Sequence, residues 1–226
     1  MKTFTIGKKK IVLKEEWMVG FITTWIVGLL AHAYRFFNFL PIWDSIYNFT
    51  GVGSTYTLGR WFLGYAGLIT SMFDLPWVNG AFSLFYISIV VILLTEMFEI
   101  KNKGMIVLCA AIFVSFPTVV SSFAYMYTAD AYLLAFLLAT LAVYLTWCVK
   151  KWGTIAGMVC LAFAMGIYQA YATVAIVLVL LYIIRQFVIE KLDFLEAVRK
   201  DLKYLGMLVG GAVLYLSLIH ISEPTR

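Results

Sequence analysis

Charge is scarce in this 226-residue chain: Asp, Glu, Lys and Arg make up 13% of it, where a soluble domain carries roughly a quarter. With 63% hydrophobic residues and a mean hydropathy of +0.94, that scarcity excludes a water-soluble globular protein. Histidine is rarer still, two in all, and His32 is the only one outside the C-terminal tail. A Ser-His-Asp arrangement or a histidine-built zinc site therefore has little to draw on, and no glycine-rich phosphate loop appears. The three cysteines, Cys109, Cys148 and Cys160, lie inside apolar runs without CxxC spacing. They read as small buried hydrophobes rather than disulfide or metal ligands. Strict apolar/polar alternation is also missing, which argues against a membrane β-barrel.

What is present is a series of long apolar runs, at about 17–40, 80–98, 104–123, 131–149, 153–168, 170–187 and 204–215. Most have the length of helices crossing a ~30 Å hydrocarbon layer at 1.5 Å per residue. The expected fold is all-α, a polytopic transmembrane helical bundle over 17–215, preceded by a basic N-terminus at 1–16. The run "WFLGYAGLITSMFDLPWVNG", 61–80, is amphipathic and aromatic, so an outer loop and interfacial helix are expected over 41–79. Residues 190–203 predict a second interfacial helix, with Leu192, Phe194, Leu195, Val198 and Leu202 at helical spacing. The tail "LSLIHISEPTR", 216–226, reads as a translated sequencing adapter, an artefact set outside the fold. The last span is then cut short, and the native protein is expected to continue beyond Tyr215.

Orientation follows from the basic residues. Lys2, Lys8, Lys9, Lys10, Lys14, Lys101, Lys103, Lys150, Lys151, Arg185, Lys191, Arg199, Lys200 and Lys203 all fall on one side of alternating crossings. The positive-inside rule makes that side cytoplasmic, N-terminus included. These clusters, together with a pI near 9.0, suit anionic headgroups and no nucleic acid. Arg35 and Arg60 alone sit at or beyond the outer boundary, with three acids, Asp44, Asp74 and Asp130. An ionised group there is costly unless wetted or paired. Asp74, beside Leu75-Pro76, reads as a turn residue. Asp130 opens the fourth span and serves either as a helix N-terminal charge or in chemistry. Arg60 either snorkels beside Trp61 or meets phosphate, which a guanidinium matches bidentately. Arg35 reads as an anchor or ion-pair partner, and His32 as a hydrogen-bonded packing residue.

Four stretches carry a resemblance: "WDSIYNFTG" with "TLGRWF", then "DLPWVNGAFS", "YMYTADAY" and "GIYQAY". In that order, over about 15–187, they resemble the bacterial GtrII glucosyltransferase family, which is related to O-antigen glucosylation. The resemblance implies a membrane glycosyltransferase of the GT-C type in the bacterial plasma membrane. Its donor would be a polyprenyl-phosphate sugar, glucose by family, and its acceptor a cell-surface glycan outside the bilayer. Asp44 then becomes the first-loop acid and general base, with Asp130 as alternative base or acceptor-orienting acid. Arg60 would bind the carrier phosphate. Trp43, Tyr47, Asn48, Trp61, Tyr125, Tyr127, Tyr168 and Gln169 would contact sugar or prenyl surface. Two features depart from the family: a lone Asp44 after Trp43 where many members pair acids, and Thr128 where some carry Arg. The resemblance fixes no cofactor and leaves a divalent cation open. Two outer acids could share a divalent cation, although three or more ligands are normal. The competing reading is a lipid-linked-sugar flippase, which would favour midplane polar groups and an internal repeat, neither evident here.

Overall fold

Apolar runs become helices in the computed structural model, which describes residues 2–6, 9–47, 58–70 and 72–222. The β-branched N-terminal stretch pairs into a hairpin, β1 (Lys2–Ile6) antiparallel to β2 (Lys9–Leu13), before the bundle begins. The helices follow in order: α1 (Glu15–Phe37), α2 (Trp43–Tyr47), α3 (Leu63–Ala66), α4 (Pro76–Met97) and α5 (Lys103–Ser115). Then come α6 (Pro117–Ser122), α7 (Met126–Cys148), α8 (Gly153–Ile167), α9 (Ala172–Arg185) and α10 (Phe194–Ser222). Among the described residues, six helical stretches are long and apolar enough to cross a membrane. The chain is an all-α, multi-pass membrane protein.

Several elements depart from the periodicity in instructive ways. Proline at 117 forces Phe116 into an extended conformation, so the run 104–123 divides into α5 and α6. Helix α8 has fifteen residues, about 22 Å, and stops where Tyr168 turns extended. The stretch 61–79 is not one interfacial helix. It makes α3, a 3₁₀ turn at Gly67–Ile69 and a bend at Met72, and α4 already starts at Pro76. Leu63, Ala66 and Met72 are drawn into a core with Ala131, Ala135 and Ile167, and that burial breaks the helix against the bundle end. Conversely, 194–203 and the last span form the single helix α10, which runs seven residues past Tyr215 to Ser222, whereas 191–193 lie outside it after a left-handed Lys191.

Helix α7 is the centre, flanked by α4, α8 and α9; α1 packs on α4 and α5, and α10 on α8. Small residues let the backbones approach closely. A methyl group on Gly157 would stand 2.7 Å from the Ala142 carbonyl oxygen of α7, a backbone atom that cannot step aside. Gly157→Leu should therefore lower stability by about 1–3 kcal/mol, read as a drop in the thermal midpoint of the detergent-solubilised protein. Hydroxyls within the spans are satisfied locally: Thr24, Ser88 and Thr146 each donate to the carbonyl four residues back. His32 contacts the Val114 carbonyl at 2.9 Å and packs on Phe36 and Phe123, a hydrogen-bonded core position.

The two ends of the bundle differ. At the N-terminal end, Lys14–Glu96, Lys103–Glu15, Arg185–Glu99, Arg185–Glu190 and Lys200–Glu190 are ion pairs of 2.6–3.0 Å. The opposite end has no ion pair among the described residues, and there the lone charges gather.

Candidate functional site

At the far end, the segment 58–62 is tied down from three directions. Gln169, in the 3₁₀ turn after α8, donates through Nε2 to the Leu58 carbonyl at 2.6 Å. Tyr215 of α10 donates its hydroxyl to the Gly59 carbonyl at 3.0 Å. The Phe62 amide donates to the Gly166 carbonyl at 2.8 Å. Gly59 has φ +72°, a left-handed turn, and an added methyl would crowd the Tyr215 hydroxyl at 2.7 Å and Gln169 Nε2 at 2.9 Å. Trp61 lies over Gly166 against Phe163, 9% exposed, and so acts in packing.

The effect of this clamp is to aim Arg60. Its guanidinium carbon stands 4.4 Å from the Tyr168 ring centroid, a cation–π stack, and Nη1 reaches the Tyr132 hydroxyl at 3.5 Å. Its Nε is buried and has no partner among the described residues. Of five N–H donors, most are thus left for something else. Tyr132 and Tyr168 stack at 5.6 Å, with Tyr171 beside both. These three rings line a cavity of ≈ 430 Å³ together with Ser121, Ser122 and Tyr125. Aromatic faces interleaved with hydroxyls offer apolar platforms and hydrogen bonds at once, the surface that a pyranose presents in complement.

Asp130 occupies a separate place one turn into α7, 2% exposed. Thr70 donates to its Oδ2 at 3.2 Å and Asn79 to its Oδ1 at 3.1 Å. Asn79 in turn accepts the Leu75 amide at 2.9 Å. The acid therefore pins both the loop after α3 and the start of α4 to α7. Removing it would strand two buried donors, each at about 1–3 kcal/mol. Asp130→Ala should accordingly cost more stability than Thr70→Val or Asn79→Leu alone, as ranked by thermal midpoints of the three purified variants. Both oxygens of Asp74 are buried without a hydrogen-bond partner among the described residues. Arg35 spends its guanidinium on the carbonyls of Phe123, Ala124 and Leu40, closing α1 onto the α6–α7 turn.

Asp44 is exposed on α2, with no hydrogen bond or ion pair among the described residues, and Trp43 beside it is 73% exposed. Tyr127 is half-buried against the core around Leu63. The Tyr47 side chain and all of Asn48 lie outside the described residues. The structure thus unites Arg60, Trp61, Tyr168 and Gln169, and sets Asp130 in its own network. Sequence reasoning passed over Tyr132 and Tyr171, although each ends a quoted motif, and over Thr70 and Asn79. Among the described residues no three of His, Cys, Asp or Glu converge as metal ligands. Asp130 already accepts from two protein donors.

A comparison with protein families matches residues 33–223 to the one described as Glucosyl transferase GtrII. Neither the curated proteins nor the solved structures yield a match.

Proposed function

Because this chain belongs to the glucosyl transferase GtrII family, we propose that it moves glucose from a polyprenyl-phosphate carrier to a glycan at the outer face of a bacterial plasma membrane. The observation that carries this reading is the Arg60 guanidinium, held on Tyr168 at the charge-poor end, behind a cavity walled by tyrosines and serines. The salt-bridged, lysine-rich end suits the cytoplasm, which supports an exoplasmic cavity.

The reaction needs a proton acceptor and stabilisation of a departing phosphate. The acceptor hydroxyl oxygen bonds to the anomeric carbon as the carbon–oxygen bond to phosphate breaks, its electron pair leaving on the lipid phosphate. The hydroxyl proton passes to the Asp44 carboxylate, whose exposure leaves it free to meet an acceptor from the aqueous side. Attack opposite the leaving group inverts the anomeric centre. Arg60 stabilises the charge growing on the phosphate oxygens, in a setting where water is partly excluded. Asp130 is a positioning residue in this scheme: through Thr70 and Asn79 it holds the loop that continues from Arg60. Trp43, Tyr125 and Tyr127 are the aromatic surfaces offered to sugar or prenyl chain.

The test is reconstitution in proteoliposomes with radiolabelled polyprenyl-phosphate glucose and an added glycan. Label should appear covalently in the glycan at a rate that scales with protein. Label that crosses the bilayer while still on its carrier would overturn the proposal in favour of a flippase.

A further inference from the structure

The tyrosine-lined cavity has a neighbour on its inner side. Thr118, Phe136, Thr173 and Val174 line both it and a second cavity of ≈ 730 Å³, so the two adjoin. The walls of the second are almost wholly hydrocarbon, with Ile112, Phe113 and Phe116 from α5 facing Val177, Leu178 and Leu181 from α9. Its origin lies in the helix arrangement. Helix α5 packs on α1 and α4, whereas α9 packs on α7 and α8, which leaves a cleft between α5 and α9. The break at Pro117 tops that cleft with the short helix α6.

Position and access matter more than volume. Along α9 the groove runs from Thr173 to Leu181, about 12 Å at 1.5 Å per residue, within a helix that spans the membrane. Ile112, Phe116, Val177 and Leu181 are each more than 40% exposed, so the groove opens sideways to the surface that hydrocarbon covers. One end is apolar and lipid-accessible. The other leads to tyrosine hydroxyls with a cation behind them.

We propose that the α5–α9 groove seats the proximal hydrocarbon chain of a single-chain prenyl monophosphate, with its phosphate at Tyr132 and Tyr168 in the field of Arg60. The identity of this lipid rests on the glucosyl-transfer reading. The seat itself rests on the adjacency of an apolar groove to a site whose guanidinium has donors to spare. Arg35, the other cation at this end, already spends three of its five N–H donors on backbone carbonyls. The remainder of the carrier leaves through the lateral opening into the bilayer.

The test uses the full chain in phosphatidylcholine nanodiscs with a photoreactive prenyl monophosphate that carries no sugar, adducts being mapped by peptide mass spectrometry. Adducts should concentrate on groove residues of α5 and α9 and be displaced by unlabelled prenyl phosphate but not by excess phosphatidylglycerol. Val177→Trp, which fills the groove from an exposed position, should lower them by about tenfold, equivalent to about 1.4 kcal/mol. Val209→Trp, on the exposed face of α10, should leave them unchanged. Adducts scattered over the bundle surface, or displaced equally by phospholipid, would overturn the seat. Because the probe has no sugar, groove labelling without transfer in proteoliposomes refutes the transferase and keeps the seat. Transfer without groove labelling does the reverse.

Discussion

Asp44→Asn is expected to reduce glucosyl transfer by about 10²–10⁴-fold, the usual worth of a positioned general base. The asparagine amide has nearly the same shape and cannot accept a proton, so the change isolates chemistry from packing. Asp44 is exposed and bonded to nothing among the described residues, so stability should stay within about 0.5 kcal/mol of the parent. The measurement pairs initial rates of label transfer with thermal midpoints of the same preparation. Retained turnover would remove Asp44 from the base role and turn attention to Asp130. There the same experiment is harder to read, because Asp130→Asn would put a donor opposite the donors of Thr70 and Asn79. The two acids are thus distinguishable by where the damage falls. At 44 it should fall on rate alone, and at 130 on rate and folding together.

The second large effect concerns Arg60→Lys. A lysine keeps the charge but loses the flat guanidinium that lies on Tyr168 and the fork that grips phosphate bidentately. A loss of about 10²–10³ in kcat/KM for the lipid donor is expected, in the range seen when one donor to a developing oxyanion is removed. If the arginine acts mainly as charge builds on the leaving phosphate, kcat falls and KM moves little. Arg60→Ala should be partly rescued by added guanidinium, because the place over Tyr168 and beside the Tyr132 hydroxyl is held by Gln169–Leu58 and Tyr215–Gly59 bonds that do not involve the side chain. A residue that merely snorkelled at an interface would show no such rescue. Unchanged kinetics in Arg60→Lys would therefore return Arg60 to the anchoring role that its position beside Trp61 also allowed.

How far the chain could be read without coordinates differs from place to place. The α5–α6 division was available in principle, since proline imposes extended geometry on the residue before it and Pro117 stands in mid-run. The merging of 194–203 with the last span was not. Charged and apolar patterns change there while the backbone continues as one helix, and hydropathy follows surroundings rather than hydrogen bonding. Gln169 illustrates the site. Its need for a partner at membrane depth was legible, but the partner proved to be the Leu58 carbonyl, 111 positions away. Tyr132 and Tyr171 were passed over because tyrosines are plentiful near membrane boundaries, and only the packing of α7 against the turn after α8 selects the ones that share a face.

By itself the sequence determined the material and the frame: helices, because apolar stretches of that length leave no other way to satisfy the backbone in hydrocarbon, and a charge imbalance between ends. Tertiary structure alone decided which polar groups meet. Burial of Asp130 among Thr70 and Asn79, the clamp that aims Arg60 at Tyr168, and the cleft between α5 and α9 all depend on contacts between segments far apart in the chain. Local periodicity carries no information about which faces come together, because that is settled by close packing of small residues and by hydrogen bonds that form only once the helices have docked.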